Sequence, residues 1–178
     1  MIVSLLLFVI GLSLSAFFSG SETGFYRVAR VRLVLDGLDG DRVASALLWL
    51  TNNPALFVAT TLVGNNLANY LASASIVMAV ERLPFERGLW IELAAPVVFS
   101  PVVFVYGELM PKSLFYLAPN KLLRRGGLLF LMFAVLFAPI SLVLWLLGRL
   151  LQYVLGEAPL RVQSTLARKE LQQVFEDF

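Results

Sequence analysis

The sequence predicts an all-α integral membrane protein with three transmembrane helices, a cytoplasmic helical hairpin and a kinked apolar segment behind the third span. Three observations lead there. The 178 residues are 59% hydrophobic and only 15% charged, with a mean hydropathy of +0.82, whereas soluble domains run at about 45–50% apolar and about 25% charged. Long stretches carry almost no charge: 1–21 and 53–80 have none, 88–106 has only Glu92, and 126–148 has none. Basic residues gather at the ends of these stretches in a pattern that orients them.

The first span covers about 1–26. It could be a cleaved signal peptide, but it has no basic residues ahead of its apolar run, and Arg27, Arg30 and Arg32 lie behind it. It therefore reads as a retained helix with its N-terminus outside and its C-terminal end in the cytoplasm. Residues 30–52 follow as a juxtamembrane hairpin, in which DGLDGD supplies the turn and Asp41 caps the next helix. The second span, about 54–80, returns to the outside. The loop ERLPFERG balances two Glu against two Arg, as an outside turn allows. The third span, about 88–116, brings the chain back to Lys112, Lys121, Arg124 and Arg125.

The stretch 126–155 has basic flanks on both sides, and Pro139 removes a helical hydrogen bond in its middle. It is expected to dip into the cytoplasmic leaflet or wrap the bundle, with a fourth crossing as the other reading. Residues 1–157 thus form one transmembrane domain. Residues 158–178 begin a cytosolic helix with Leu166, Leu171, Val174 and Phe175 on one side. Its pattern stops mid-period, so a cytosolic partner domain is expected beyond it.

Several functions are excluded early. With no Cys and no His, there are no disulfides, no thiolate nucleophiles and none of the usual zinc sites. No base–nucleophile pair is evident beyond Glu and Ser, so the chain is not read as an enzyme. A net charge of +2 without a basic, aromatic-interleaved run gives no reason to expect nucleic acid.

Polar groups inside spans are costly and mark candidate sites. In SLSAFFSGSETGFYR, Ser15 and Ser19 share a helix face, and Glu22 and Tyr26 extend the stripe. Ser21 faces away unless Gly20 loosens the turn. In LVGNNLANYLASA, Asn65, Asn66, Asn69 and Ser73 fall in a sector about 100° wide. The competing explanations are serine back-bonding to the helix and asparagine bonding between closely packed helices. In VYGELMPKS, Pro111 has no N–H, so the carbonyl of Gly107 loses its helical partner beside the Glu108 carboxylate. A broken helix that offers bare carbonyls and an acid is a recurrent way to hold a cation in a membrane. The alternative is a plain helix end with Glu108 paired to Lys112. The inventory consists of hard oxygens, suited to Mg²⁺, Ca²⁺ or Na⁺ rather than Zn²⁺ or Cu. Glu22 and Glu108 together could neutralise a divalent ion, and charge counting leaves the choice of ion open.

In this order and spacing, FFSGSETGFYRVARVRL, LVGNNLANYLASA and VYGELMPKSLFYLAPNKL resemble the transmembrane domain of the CorC/CNNM family of magnesium transporters. The resemblance runs over essentially the whole chain. It implies a homodimer with three spans per subunit, a juxtamembrane hairpin and a belt-like segment after the third span. It also implies Mg²⁺ efflux across the plasma (inner) membrane coupled to Na⁺ entry, and nucleotide-binding cytosolic CBS domains in a longer chain. Its motif positions point to Ser15, Ser19, Asn65, Asn69, Gly107 and Glu108 as ion-site residues, with Ser21, Glu22 and Asn66 less firmly placed. The rival expectations are a Na⁺ or Ca²⁺ transporter and a non-transporting membrane anchor that dimerises a cytosolic sensor.

Overall fold

The computed structural model describes residues 1–82 and 89–155, and every regular element among them is a helix. In chain order they are α1 (Ile2–Arg27), α2 (Arg30–Leu38), α3 (Arg42–Asn52), α4 (Pro54–Val80), α5 (Leu89–Phe104), a π turn (Val105–Leu109), α6 (Met110–Leu117), α7 (Pro119–Leu136) and α8 (Ala138–Leu155). Most of the loop ERLPFERG and the C-terminal helix expected over 158–178 lie outside the described residues. Met1–Leu142 pack together as one unit, and a second begins at Val143.

Among the described residues, two stretches are long and apolar enough to cross a membrane unaided, α1 and the rod Trp90–Leu117, or up to four spans if each bent helix pair counts as one. α4 has the length, since its 27 residues rise about 40 Å against a hydrocarbon core of about 30 Å. Its three asparagines and several hydroxyls dilute its hydropathy, so it passes only together with α3. That pair is bent by 99°. The bend follows from Asn53, which leaves helical geometry at φ −123°, and from Pro54, which opens α4 without needing an N–H partner. α3 therefore lies across the foot of α4. Along the rod, Trp90, Val97 and Val98 are 81%, 69% and 71% exposed, a surface that suits lipid or a partner helix and not water.

The hairpin turns at Gly40, whose φ of 91° is the left-handed conformation that glycine adopts without a steric penalty. Asp41 then caps α3, accepting from the N–H of Val43 at 2.9 Å and of Ala44 at 3.3 Å. Its second oxygen takes Arg124 Nε of α7 at 2.6 Å. Leu47, Leu50, Phe25, Phe57 and Phe130 bury the hairpin against α1, α4 and α7. Phe57 stacks on Phe25 at 3.5 Å and on Phe130 at 4.7 Å between ring centroids. These rings weld the hairpin end of the bundle.

Partial burial alone would raise the Asp41 pKa, but the N–H groups of Ala44 and Val43 and the Arg124 guanidinium outweigh it and hold the group below its ordinary 3.8. A lowered folded pKa stabilises the fold above the unfolded value and loses that contribution as pH falls through the folded one. The gap in melting temperature between wild type and Asp41→Asn is thus expected to be full at pH 5–7 and to shrink below about pH 3.8. Thermal unfolding in detergent across that range reads it directly.

α1 and α4 form the most intimate helix pair. A Cβ built on Gly11 would lie 2.8 Å from the backbone nitrogen of Ala72 and 3.1 Å from the carbonyl oxygen of Ala68. The two backbones touch there, as small residues permit between membrane helices. Two turns along α1, the ring of Phe18 fills the space over Gly64. α6 docks on the other flank of α1, with Phe115 lying over Gly20 and Gly24.

Candidate cation site within the helix bundle

One helical turn from Gly11, the close crossing of α1 and α4 brings Ser15 against two asparagines. Ser15 Oγ is fully buried and lies 2.8 Å from Asn69 Oδ1 and 3.2 Å from Asn65 Oδ1. Asn65 and Asn69 are four residues apart on α4, so one face presents both. The third contributor is the π turn, whose Gly107 carbonyl oxygen sits 3.4 Å from Ser15 Oγ. Asn69 also donates through Nδ2 to Glu108 Oε1 at 3.2 Å. Because a carboxylate only accepts, this contact fixes the Asn69 amide with its oxygen toward Ser15.

The four converging oxygens have one hydrogen among them. The Ser15 hydroxyl can donate to a single acceptor at a time, which leaves two carbonyl-type oxygens crowded on it without a donor there. An acceptor shielded from water without a partner costs about 1–3 kcal/mol; Asn65 and Asn69 are half-buried, so part of that cost applies and something electropositive beside them would relieve it. Ser19, one turn further along the same face, adds to the cost: its Oγ is buried and has no hydrogen-bond partner among the described residues. The chemistry of this oxygen set fits a small hard cation.

The other sequence candidates go elsewhere. Ser21 is buried, but no contact joins it to the cluster. Asn66 turns outward and donates to the Leu62 carbonyl of its own helix at 2.9 Å, and Ser73 is exposed. Glu22 lies 3.9 Å from Lys112, both half exposed. This pairing displaces two expectations: Lys112 does not hold Glu108, and the structure does not bring Glu22 and Glu108 to one site. A single carboxylate, Glu108, serves the cluster. Among the described residues, no group of three or more Asp, Glu, His or Cys side chains could hold a metal, so neutral oxygens would carry most of the coordination.

Sequence reasoning missed the π turn and the backbone contact at Gly11. The turn has a local cause. Pro111 cannot donate to Gly107, and the Met110 N–H reaches back five residues to the Val105 carbonyl. The widened turn carries Gly107 and Glu108 toward α1 and α4, and such insertions frequently mark functional sites. A Cβ at 107 would stand 3.0 Å from Ser15 Oγ, so any larger residue there would require Ser15 to give by a few tenths of an ångström. The signal in the sequence was the pair Gly107 and Pro111, four residues apart. It revealed the freed carbonyl without revealing the change of helical pitch.

Fold and site together define an all-helical membrane domain with a half-buried polar oxygen cluster between its helices. The chain belongs to the cyclin M transmembrane N-terminal domain family, whose model matches residues 6–177. It is similar to the UPF0053 inner membrane protein YfjD of Escherichia coli K12, with 33% identity over 162 residues, covering 90% of this chain and 37% of that protein. It is also similar to a UPF0053 protein of Haemophilus influenzae, with 25% identity over 169 residues, covering 95% and 40%. The chain thus spans about two-fifths of the length of these curated relatives.

Proposed function

We propose that this chain is the transmembrane ion-transport domain of a magnesium exporter. In this reading α1, α4 and the α5–α6 rod are its three spans, with the N-terminus outside and the C-terminus in the cytoplasm. The α2–α3 hairpin lies on the cytoplasmic face, and α7 begins a belt along it. Two such chains make a homodimer in the plasma membrane, and CBS domains in a longer chain regulate it. The chain has no catalytic role.

The observation that carries the proposal is the four-oxygen cluster with one hydrogen. Mg²⁺ takes six oxygens at about 2.0–2.1 Å, and the edges of such an octahedron measure about 2.8–3.0 Å. The separations of 2.8, 3.2 and 3.4 Å around Ser15 Oγ are near that edge length. A modest contraction would place Ser15, Asn65, Asn69 and Gly107 as ligands, with Glu108, which Asn69 holds, and Ser19, one turn along α1, as the further candidates. Mg²⁺ dehydrates reluctantly, so the site must replace most of its water. With one carboxylate, a bound divalent ion keeps an excess positive charge, which favours release once the bundle opens to the far side. Na⁺ at the same oxygens would leave the site neutral, and an inward Na⁺ gradient would drive the exchange.

That single charge also favours a second reading, in which Na⁺ is the principal ion. Calorimetry on the purified chain in detergent separates the two. Mg²⁺ is expected to bind and to be displaced weakly by Ca²⁺ and Na⁺, and liposomes are expected to release Mg²⁺ against an inward Na⁺ gradient. Tighter binding of Na⁺ or Ca²⁺ would reassign the cargo. Binding without any flux would leave a membrane anchor for a cytosolic sensor.

A further inference from the structure

A second polar feature lies away from the oxygen cluster, where the two self-sufficient candidate spans end together. α1 stops at Arg27 and the rod at Leu117, and Asn120 Oδ1 accepts from the Ala29 N–H at 3.1 Å, tying the two ends. Beside this tie is a cavity of about 590 Å³ between α2, the α2–α3 turn and the start of α7. Four cations line it, Arg32, Lys121, Arg124 and Arg125, against two acids, Asp36 and Asp41. Arg124 takes both acids, at 2.6 Å to Asp41 and 3.5 Å to Asp36. Arg32, Lys121 and Arg125 make no ion pair among the described residues. The first turn of α7 has Pro119 at its start and no side-chain cap, so the positive end of an 18-residue helix faces the same region.

From this we infer that the cavity binds the phosphate of an anionic membrane lipid. The inference rests on the reading that α1 and the rod cross the bilayer, because their ends then set the cavity at headgroup depth. A free phosphate would meet the same cations, but α2 favours a lipid. On this short helix Val31, Leu35 and Leu38 form an exposed row at spacings of four and three, 74%, 56% and 79% exposed. An apolar row beside a basic cavity is the pattern of a helix lying in the membrane interface, with its apolar side in the acyl region and its cations at the phosphates. The lipid would clamp α2 to α7 on top of the Arg124–Asp41 pair, fixing the hairpin against the bundle.

The whole chain in nanodiscs tests this. Discs of phosphatidylcholine are compared with discs doped with phosphatidylglycerol, and retained lipid is counted by native mass spectrometry after release. Wild type is expected to retain phosphatidylglycerol and to melt at a higher temperature in the doped discs. Each surface cation contributes roughly a fivefold preference, so Arg125→Gln alone should lose about that factor. The combined change of Arg32, Lys121 and Arg125 to Gln should lose about a hundredfold. Arg82→Gln, outside the cavity, should lose nothing. All three positions are exposed, so circular dichroism should show intact helices.

Equal retention by wild type and the triple variant would overturn the site. Equal stabilisation by inorganic phosphate in plain phosphatidylcholine discs would overturn the lipid as its source. Failure of the chain to enter discs at all would overturn the membrane reading beneath both. Mg²⁺ calorimetry on the triple variant separates this inference from the transport proposal, since the oxygen cluster shares no residue with the cavity and its affinity should be unchanged.

Discussion

Replacing Asn69 with alanine is expected to weaken Mg²⁺ binding about a hundredfold, measured by calorimetry on the purified chain in detergent. Asn69 holds two positions at once. Its Oδ1 makes the shortest contact in the cluster, 2.8 Å to Ser15 Oγ, and its Nδ2 steadies Glu108 at 3.2 Å. Alanine removes one ligand oxygen and frees the carboxylate that carries the site's charge. Hydrogen bonds to charged groups are worth about 1.5–3 kcal/mol, and each 1.4 kcal/mol is a factor of ten in affinity, so the two losses together set the scale. The fold should survive, because α1 and α4 are held by the backbone approach at Gly11 and by Phe18 over Gly64. Asn66→Ala is the matched control. It removes the same group three residues away, where the amide bonds its own helix at Leu62, and it should leave affinity unchanged. Equal affinity for wild type and Asn69→Ala would remove the cluster as the binding site.

The contrast between Asn66 and Asn69 shows what the sequence could and could not reveal. Helical periodicity places both in one broad sector of α4, and a sector about 100° wide includes the rim as well as the centre of a face. Which residue points inward depends on the line along which α1 lies. That line is set by Gly11 against Ala68 and Ala72, a contact between elements distant in sequence. Glu22 lies elsewhere for a related reason. It continues the Ser15–Ser19 stripe, but by that depth α6 has reached α1, and Lys112 is the nearer partner. Local signals were legible without any tertiary knowledge. The Asp41 cap, the turn at Gly40 and the carbonyl freed by Pro111 each depend on two or three neighbouring residues. The aromatic weld of Phe25, Phe57 and Phe130 could not be foreseen, because its three rings come from three helices whose packing no local pattern encodes.

Pro111 offers the sharper test of how the cluster works, because its replacement should improve the helix and harm the site. Proline withholds an N–H from the Gly107 carbonyl, and one residue ahead of it the Met110 N–H reaches the Val105 carbonyl, which widens the turn. Alanine at 111 restores the donor. Gly107 would then regain an ordinary helical bond, the turn would tighten toward α-helical pitch, and the carbonyl would rotate away from Ser15, from which it now lies 3.4 Å. Pro111→Ala is therefore expected to melt at a temperature equal to or above that of wild type while binding Mg²⁺ about tenfold more weakly, the loss of one charge–dipole contact. Substitutions that damage a site by damaging the fold lower both quantities together, so opposite signs can arise only if the helix is held open to serve the ion. A variant that loses stability and keeps full affinity would show that Pro111 shapes the span for packing alone, and the Gly107 carbonyl would then drop out of the set of ligands.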